Sequence, residues 1–197
     1  MNRFFDLLSV AVYMIFIQNL VFSGGYGASE AVRMAAKPRR FLLFALSIAY
    51  FSVVTSAACR ALDYIPAIGA LNDSLHAVVF VLMLVLVYLI TAVLMRILLK
   101  AEPKFLSLMG ISALNTLVLA IPFINNRAAY SLTESIGTGL GAGLAFILAV
   151  ALMSNGMQRL SENKDIPAAF SGAPAIFIYV ALLSLAFTGF SGSSLFA

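Results

Sequence analysis

Six apolar runs follow one another along the chain, from Phe4 to Phe22, Phe41 to Ala58, Ala77 to Met95, Phe105 to Ile124, Ile136 to Met153 and Ala173 to Phe190. Each is close to the roughly 20 residues that a helix needs to cross a bilayer. The third holds thirteen Val, Leu, Ile or Phe in nineteen positions, which contributes about −4 to −8 kcal/mol of insertion free energy. Two runs depart from uniform apolarity. The first carries Gln18 and Asn19 near its end, with Gly24, Gly25 and Gly27 beyond it. The fourth carries Ser112, Asn115 and Thr116, with Pro122 further on. Hydrocarbon offers an amide no water, so such groups must find partners on neighbouring helices or line a hydrated pocket. Glycine interrupts a helix and proline removes an internal donor. The pattern therefore predicts that the first and fourth helices are broken or kinked, by those glycines and by Pro122.

Asn19 and Asn115 stand 96 residues apart in a chain of 197, the spacing of a duplicated half. The expected fold is an all-α integral membrane protein with six transmembrane helices in a single membrane domain, built as two three-helix repeats (1–99 and 100–197). Three is odd, so the second repeat is inverted relative to the first, and sites in such folds lie where the repeats meet. Gln18, Asn19, Ser23, Ser29, Asn115 and Thr116 form the candidate mid-membrane polar site.

Composition agrees: 62% of residues are hydrophobic, 10% are charged, and the mean hydropathy is +1.04, far from a soluble domain. The net charge of +4 does not imply nucleic acid, because the basic residues collect in short stretches between the apolar runs. Arg33, Lys37, Arg39, Arg40, Arg96, Lys100, Lys104, Arg159 and Lys164 fall on one side of the expected topology, and only Arg3, Arg60 and Arg127 on the other. The positive-inside rule then places both termini outside the cytoplasm. A cleaved signal peptide fits poorly, since the first run holds Asp6, Gln18 and Asn19.

Other polar features read as structural. Ser29 to Arg40 is expected to be a solvated basic loop opening with an interfacial turn, and Ser47, Ser52, Thr55 and Ser56 to be packing residues. Gly137, Gly139, Gly141 and Gly143 lack the preceding strand and following lysine of a phosphate loop; glycines four apart on a membrane helix instead let backbones approach. His76, the one histidine, at the mouth of the third run, reads as an interface residue rather than a ligand. Cys59, the one cysteine, reads as a small packed residue.

Ile166-Pro167-Ala168-Ala169-Phe170-Ser171-Gly172 and the stretch from Leu182 to Gly192 resemble the C-terminal signature of the RnfA/NqrE family. Pro103, Leu108, Gly110 and Ile111, with Asn115 through Asn125, are similar to its fourth helix. The resemblance implies a membrane subunit of an Rnf or sodium-translocating NADH:quinone oxidoreductase complex in a bacterial-type inner membrane. It implies an inverted RnfE/NqrD-like partner beside other redox subunits, and a [2Fe-2S] cluster shared with that partner through two cysteines from each. Here the family's Asn-Cys pair on the fourth helix corresponds to Asn115-Thr116, and its first-half cysteine to Ser29 or Ser23 depending on where a gap is placed. Hydroxyls replace thiolates at both positions, so no cofactor is expected on this chain. Ser171-Gly172-Ala173-Pro174 lacks the threonine that carries covalent flavin in other subunits of these complexes.

Three functions fit the sequence, the first of them the favoured reading and the second its alternative. One is a cluster-free electron-transport and ion-translocation subunit, at most non-catalytic by itself. Another is a small inverted-repeat transporter or substrate-binding subunit for a neutral solute or cation, using Gln18, Asn19, Asn115 and Thr116. The last is a purely structural role for the polar dips.

Overall fold

The computed structural model describes residues 3–36 and 41–190. All its regular elements are helical, with no strand among the described residues. In order they are α1 (Arg3–Phe16), α2 (Leu20–Ser23), α3 (Ala28–Ala35), α4 (Phe41–Asp63), α5 (Pro66–Gly69), α6 (Asp73–Leu98), α7 (Pro103–Ala113), α8 (Thr116–Arg127), α9 (Leu132–Glu162) and α10 (Ala173–Phe190). Among them are five candidate membrane spans: α4, α6, α7 with α8 taken together, α9 and α10. With 14 residues, α1 reaches only about 21 Å at 1.5 Å per residue, short of the roughly 30 Å hydrocarbon core.

The expected breaks are present, at other residues than expected. In the first run the helix ends at Phe16, where the N–H groups of Ile17 and Gln18 both donate to the Tyr13 carbonyl at 2.9 Å, and a new segment starts after Asn19. The glycines instead build the turn from α2 to α3, with Gly25 and Gly27 at φ of +69° and +73°, a region that side-chain-bearing residues rarely occupy. In the fourth run the break falls at Leu114–Asn115, while Pro122 lies inside α8. A buried asparagine that can accept backbone N–H groups ends one helix and starts another more decisively than a proline whose neighbours keep their bonds.

Most of the expected basic loop is helix. Between Ser29 and Ala35, α3 buries Ala31, Met34 and Ala35 and packs on α9, with Arg33 paired to Glu30. A few small apolar residues at helical spacing can form a buried stripe without a long apolar run. Lys37, Arg39 and Arg40 lie outside the described residues. The fifth helix exceeds its predicted bounds at both ends, because the capping box of Ser131 and Glu134 starts it early and its polar end runs on as helix to Glu162.

The centre of the molecule is α9 between α1 and α4. Added Cβ atoms at Gly137 and Gly141 would lie 2.5 Å from the Leu7 carbonyl and 2.6 Å from the Ala11 carbonyl, both on α1. At Gly139 and Gly143 they would lie 2.7 Å from the Ser52 carbonyl and 2.5 Å from the Ala49 Cβ, both on α4. Two interleaved glycine pairs thus serve two different neighbours, as the four-residue spacing implied. Around this trio sit fully buried Phe44, Ile48, Phe51, Phe146, Leu117, Val118 and Ile121. By contrast, α10 rests lightly on α2 and α9 and leaves side chains such as Phe177 77% exposed.

Candidate functional site

Both breaks are built the same way locally. Asn19 has extended backbone angles, and its Oδ1 accepts the N–H groups of Val21 at 3.2 Å and Phe22 at 3.4 Å. Asn115 is likewise extended, with Oδ1 accepting the Leu117 N–H at 2.8 Å. Each side chain thereby satisfies N–H groups that the start of a helix leaves open. Both residues are buried, Asn19 at 0% and Asn115 at 4% exposure.

Their surroundings differ. The Asn19 Nδ2 donates to the Ile15 carbonyl at 3.1 Å and, across to α9, to the Ala145 carbonyl at 3.4 Å. The Asn115 Nδ2 has no hydrogen-bond partner in the protein. Asn115 is instead covered by the first-half turn, since a Cβ at Gly27 would lie 2.7 Å from its Oδ1. Beside it, the Gly27 N–H donates to the Thr116 Oγ1 at 2.9 Å. The structure thus brings Asn115 and Thr116 against the turn that joins α2 to α3. Ser23 is exposed and its hydroxyl donates to the Asn19 carbonyl at 2.8 Å. Ser29 is exposed on α3, and Gln18 is half-buried in the first break.

A second polar group escaped the sequence reading. His76 has a carboxylate partner after all: it is 4% exposed, its Nε2 lies 3.4 Å from Asp63 Oδ1, and its ring is 5.3 Å from that of Phe80. Arg60 faces the other carboxylate oxygen at 3.6 Å. Next to this group, Asn125 Nδ2 donates to Ser56 Oγ at 2.6 Å, and Ser56 Oγ donates to the Ser135 carbonyl at 2.5 Å. Asp63 and His76 bracket the short turn holding α5, so the antiparallel joining of α4 and α6 was the available signal. Ser52, Ser56, Cys59 and Asp63 also recur at helical spacing, on one face of α4.

Both breaks and this second group fall within a segment, residues 7–194, that matches the family model described as "Rnf-Nqr subunit, membrane protein". The chain belongs to the Rnf-Nqr family. The resemblance read from the C-terminal signature and the fourth helix is thereby shown. Among relatives of this Rnf-Nqr chain, the A-type subunit of the ion-translocating oxidoreductase complex of Syntrophotalea carbinolica is 26% identical over 95% of this chain and 97% of that protein. The A-type subunit of the Na(+)-translocating ferredoxin:NAD(+) oxidoreductase complex of Acetobacterium woodii is 24% identical over 96% and 98%. Its counterpart in the proton-translocating ferredoxin:NAD(+) oxidoreductase complex of Clostridium ljungdahlii is 34% identical over 60% and 61%. In all three pairs the two chains are covered to nearly equal shares, so this Rnf-Nqr chain matches these relatives in size.

Proposed function

We infer that the chain is the A-type membrane subunit of an ion-translocating, electron-transporting complex of the Rnf kind. The observation that carries this reading is similarity over nearly the whole length to proteins bearing that name. The inferred assembly pairs the chain with an inverted RnfE/NqrD-like partner beside other redox subunits in a bacterial-type inner membrane. Nine basic residues against three support termini outside the cytoplasm.

Six spans in two inverted repeats are also part of this reading, with α1 and α2 counted as one broken span. In favour stand the asparagine caps 96 residues apart and a reciprocal packing in which α1 lies on α9 while α7 and α8 lie on α4. Each broken helix thus rests on the middle helix of the other half.

An iron-sulfur cluster needs thiolate ligands, and the residues at the two breaks do not fit one. They offer the amides of Asn19 and Asn115 and the hydroxyls of Ser23, Ser29 and Thr116, and the Thr116 hydroxyl already accepts the Gly27 N–H. Cys59 sits on α4 in the other polar group. In this reading electrons pass through cofactors held by other chains.

The test is to tag the chain in its native host, purify it in mild detergent, and identify what accompanies it by mass spectrometry. Redox subunits together with a second multi-span membrane protein are expected; a solitary chain would overturn the assignment. Thr116→Val should leave the iron content of the purified complex unchanged, and a loss of iron would contradict the cluster-free reading.

A further inference from the structure

We propose that α4, α6, α8 and α9 enclose a hydrated polar file, entered between Asp63 and His76 and running along α4 as far as Ser52, which admits a small cation halfway through the protein. The role in carrying the coupling ion rests on the function inferred above; the existence of the file does not.

The distribution of unmatched polar atoms carries the argument. Among the described residues, nine buried side-chain N or O atoms lack a hydrogen-bond partner, and seven belong to this one region. Four line its inner part: Ser52 Oγ, Thr55 Oγ1, Asn125 Oδ1 and Ser135 Oγ. At its mouth Arg60 Nε is likewise unmatched, while Asp63 Oδ1 and His76 Nε2 lack a hydrogen bond but face each other at 3.4 Å. Buried polar atoms left unmatched cost about 1–3 kcal/mol each, so a cluster of them calls for a ligand with hydrogen-bonding capacity.

Helical hydroxyls have an easy alternative, and elsewhere in this chain they take it. Ser47 donates to the Leu43 carbonyl, Thr91 to Val87, Ser112 to Leu108 and Thr138 to Glu134, each four residues back. Ser52, Thr55 and Ser135 do not, although the same bond is open to them. The one hydroxyl of the group that is engaged, Ser56, bridges Asn125 to α9. Hydroxyl and amide oxygens are the donor set of a hard cation or its water shell, with the Asp63 carboxylate at the entrance.

The file ends where packing closes. Beyond Ser52 the same face of α4 presents Ile48 and Phe44, both fully buried, and the Phe44 and Phe146 rings stand 6.0 Å apart. There α9 also presses its glycines onto the backbone at Ser52 and Ala49, leaving no room for a further polar layer. Ser52 is the middle residue of α4, so the opening reaches half the helix.

The only cysteine of the chain supplies a reporter, since Cys59 is buried on the same face of α4, one turn from both Ser56 and Asp63. The experiment treats the intact complex in native membrane vesicles with 2-aminoethyl methanethiosulfonate, a small cation, and with neutral N-ethylmaleimide, and follows the Cys59 peptide by mass spectrometry. The cationic reagent is expected to modify Cys59. Its rate should fall by about tenfold or more in Asn125→Leu, and in Ser56→Val should Asn125→Leu fail to assemble, because filling the file removes the water through which a charged reagent reaches the thiol. Labelling by the neutral reagent alone, labelling by neither, or equal cationic rates in the variants would overturn the proposal. Cationic labelling of a chain that purifies without redox partners would keep the file and remove the inferred function.

Discussion

The breaks at Asn19 and Asn115 share one local device and differ in everything around it. Both place a buried amide at the start of a helical segment and turn its oxygen onto N–H groups two residues ahead. At Asn19 the nitrogen is also used, on Ile15 and across to Ala145, so the first break is fastened to α9. At Asn115 the nitrogen is unmatched, and the contact to the other half comes from its neighbour Thr116 through Gly27. A cap decides where a helix starts; the tertiary bonds of the capping residue decide how firmly that start is held. The first break is thus a fixed joint and the second a looser one.

Four substitutions separate these roles, each read as thermal unfolding of the purified protein in detergent. Gly141→Val should have the largest effect, about 3 kcal/mol, because the new side chain meets the Ala11 carbonyl and the Met14 Cβ and overpacking is costly. It should loosen the first break and spare the second, which hydrogen exchange at Val21 and at Leu117 would resolve. Asn19→Leu comes next, with a loss of about 2 kcal/mol from two open buried N–H groups. Asn115→Leu should cost about 1 kcal/mol, since it opens one N–H and removes a nitrogen that bonds nothing in the protein. If it costs as much as Asn19→Leu, the contrast between the joints is wrong. Thr116→Val should cost least, about 0.6 kcal/mol, the average for a hydrogen bond between membrane helices.

Much of the architecture was legible because apolar runs report on solvent. The span at α6 was read as 77–95 and observed as Asp73–Leu98, the difference being a polar first turn capped by Asn72 and a last turn of Arg96, Ile97 and Leu98 beyond the apolar core. The close packing at Gly137 to Gly143 followed from spacing alone, and the two interrupted helices from glycine and proline beside polar residues in otherwise apolar runs. The residues of the interruptions did not. Glycine and proline attract attention as breakers, whereas Asn19 and Asn115 act only when their amides meet particular backbone N–H groups, which a sequence does not display. The partner of His76 was missed for a related reason: the Asp63 carboxylate stands thirteen positions away and is brought close only by the reversal through α5. The hydroxyls of α4 looked like ordinary packing residues because their departure from the usual bond to the preceding turn is visible only in three dimensions.

The alternating glycines of α9 carry a mechanical consequence. With no side chain between them, α1, α9 and α4 meet main chain to main chain, and none of the three can slide without collision. Any shape change that accompanies turnover has to carry this trio as a rigid keel and draw its movement from the lightly seated α10 and the outward-facing flank of α6.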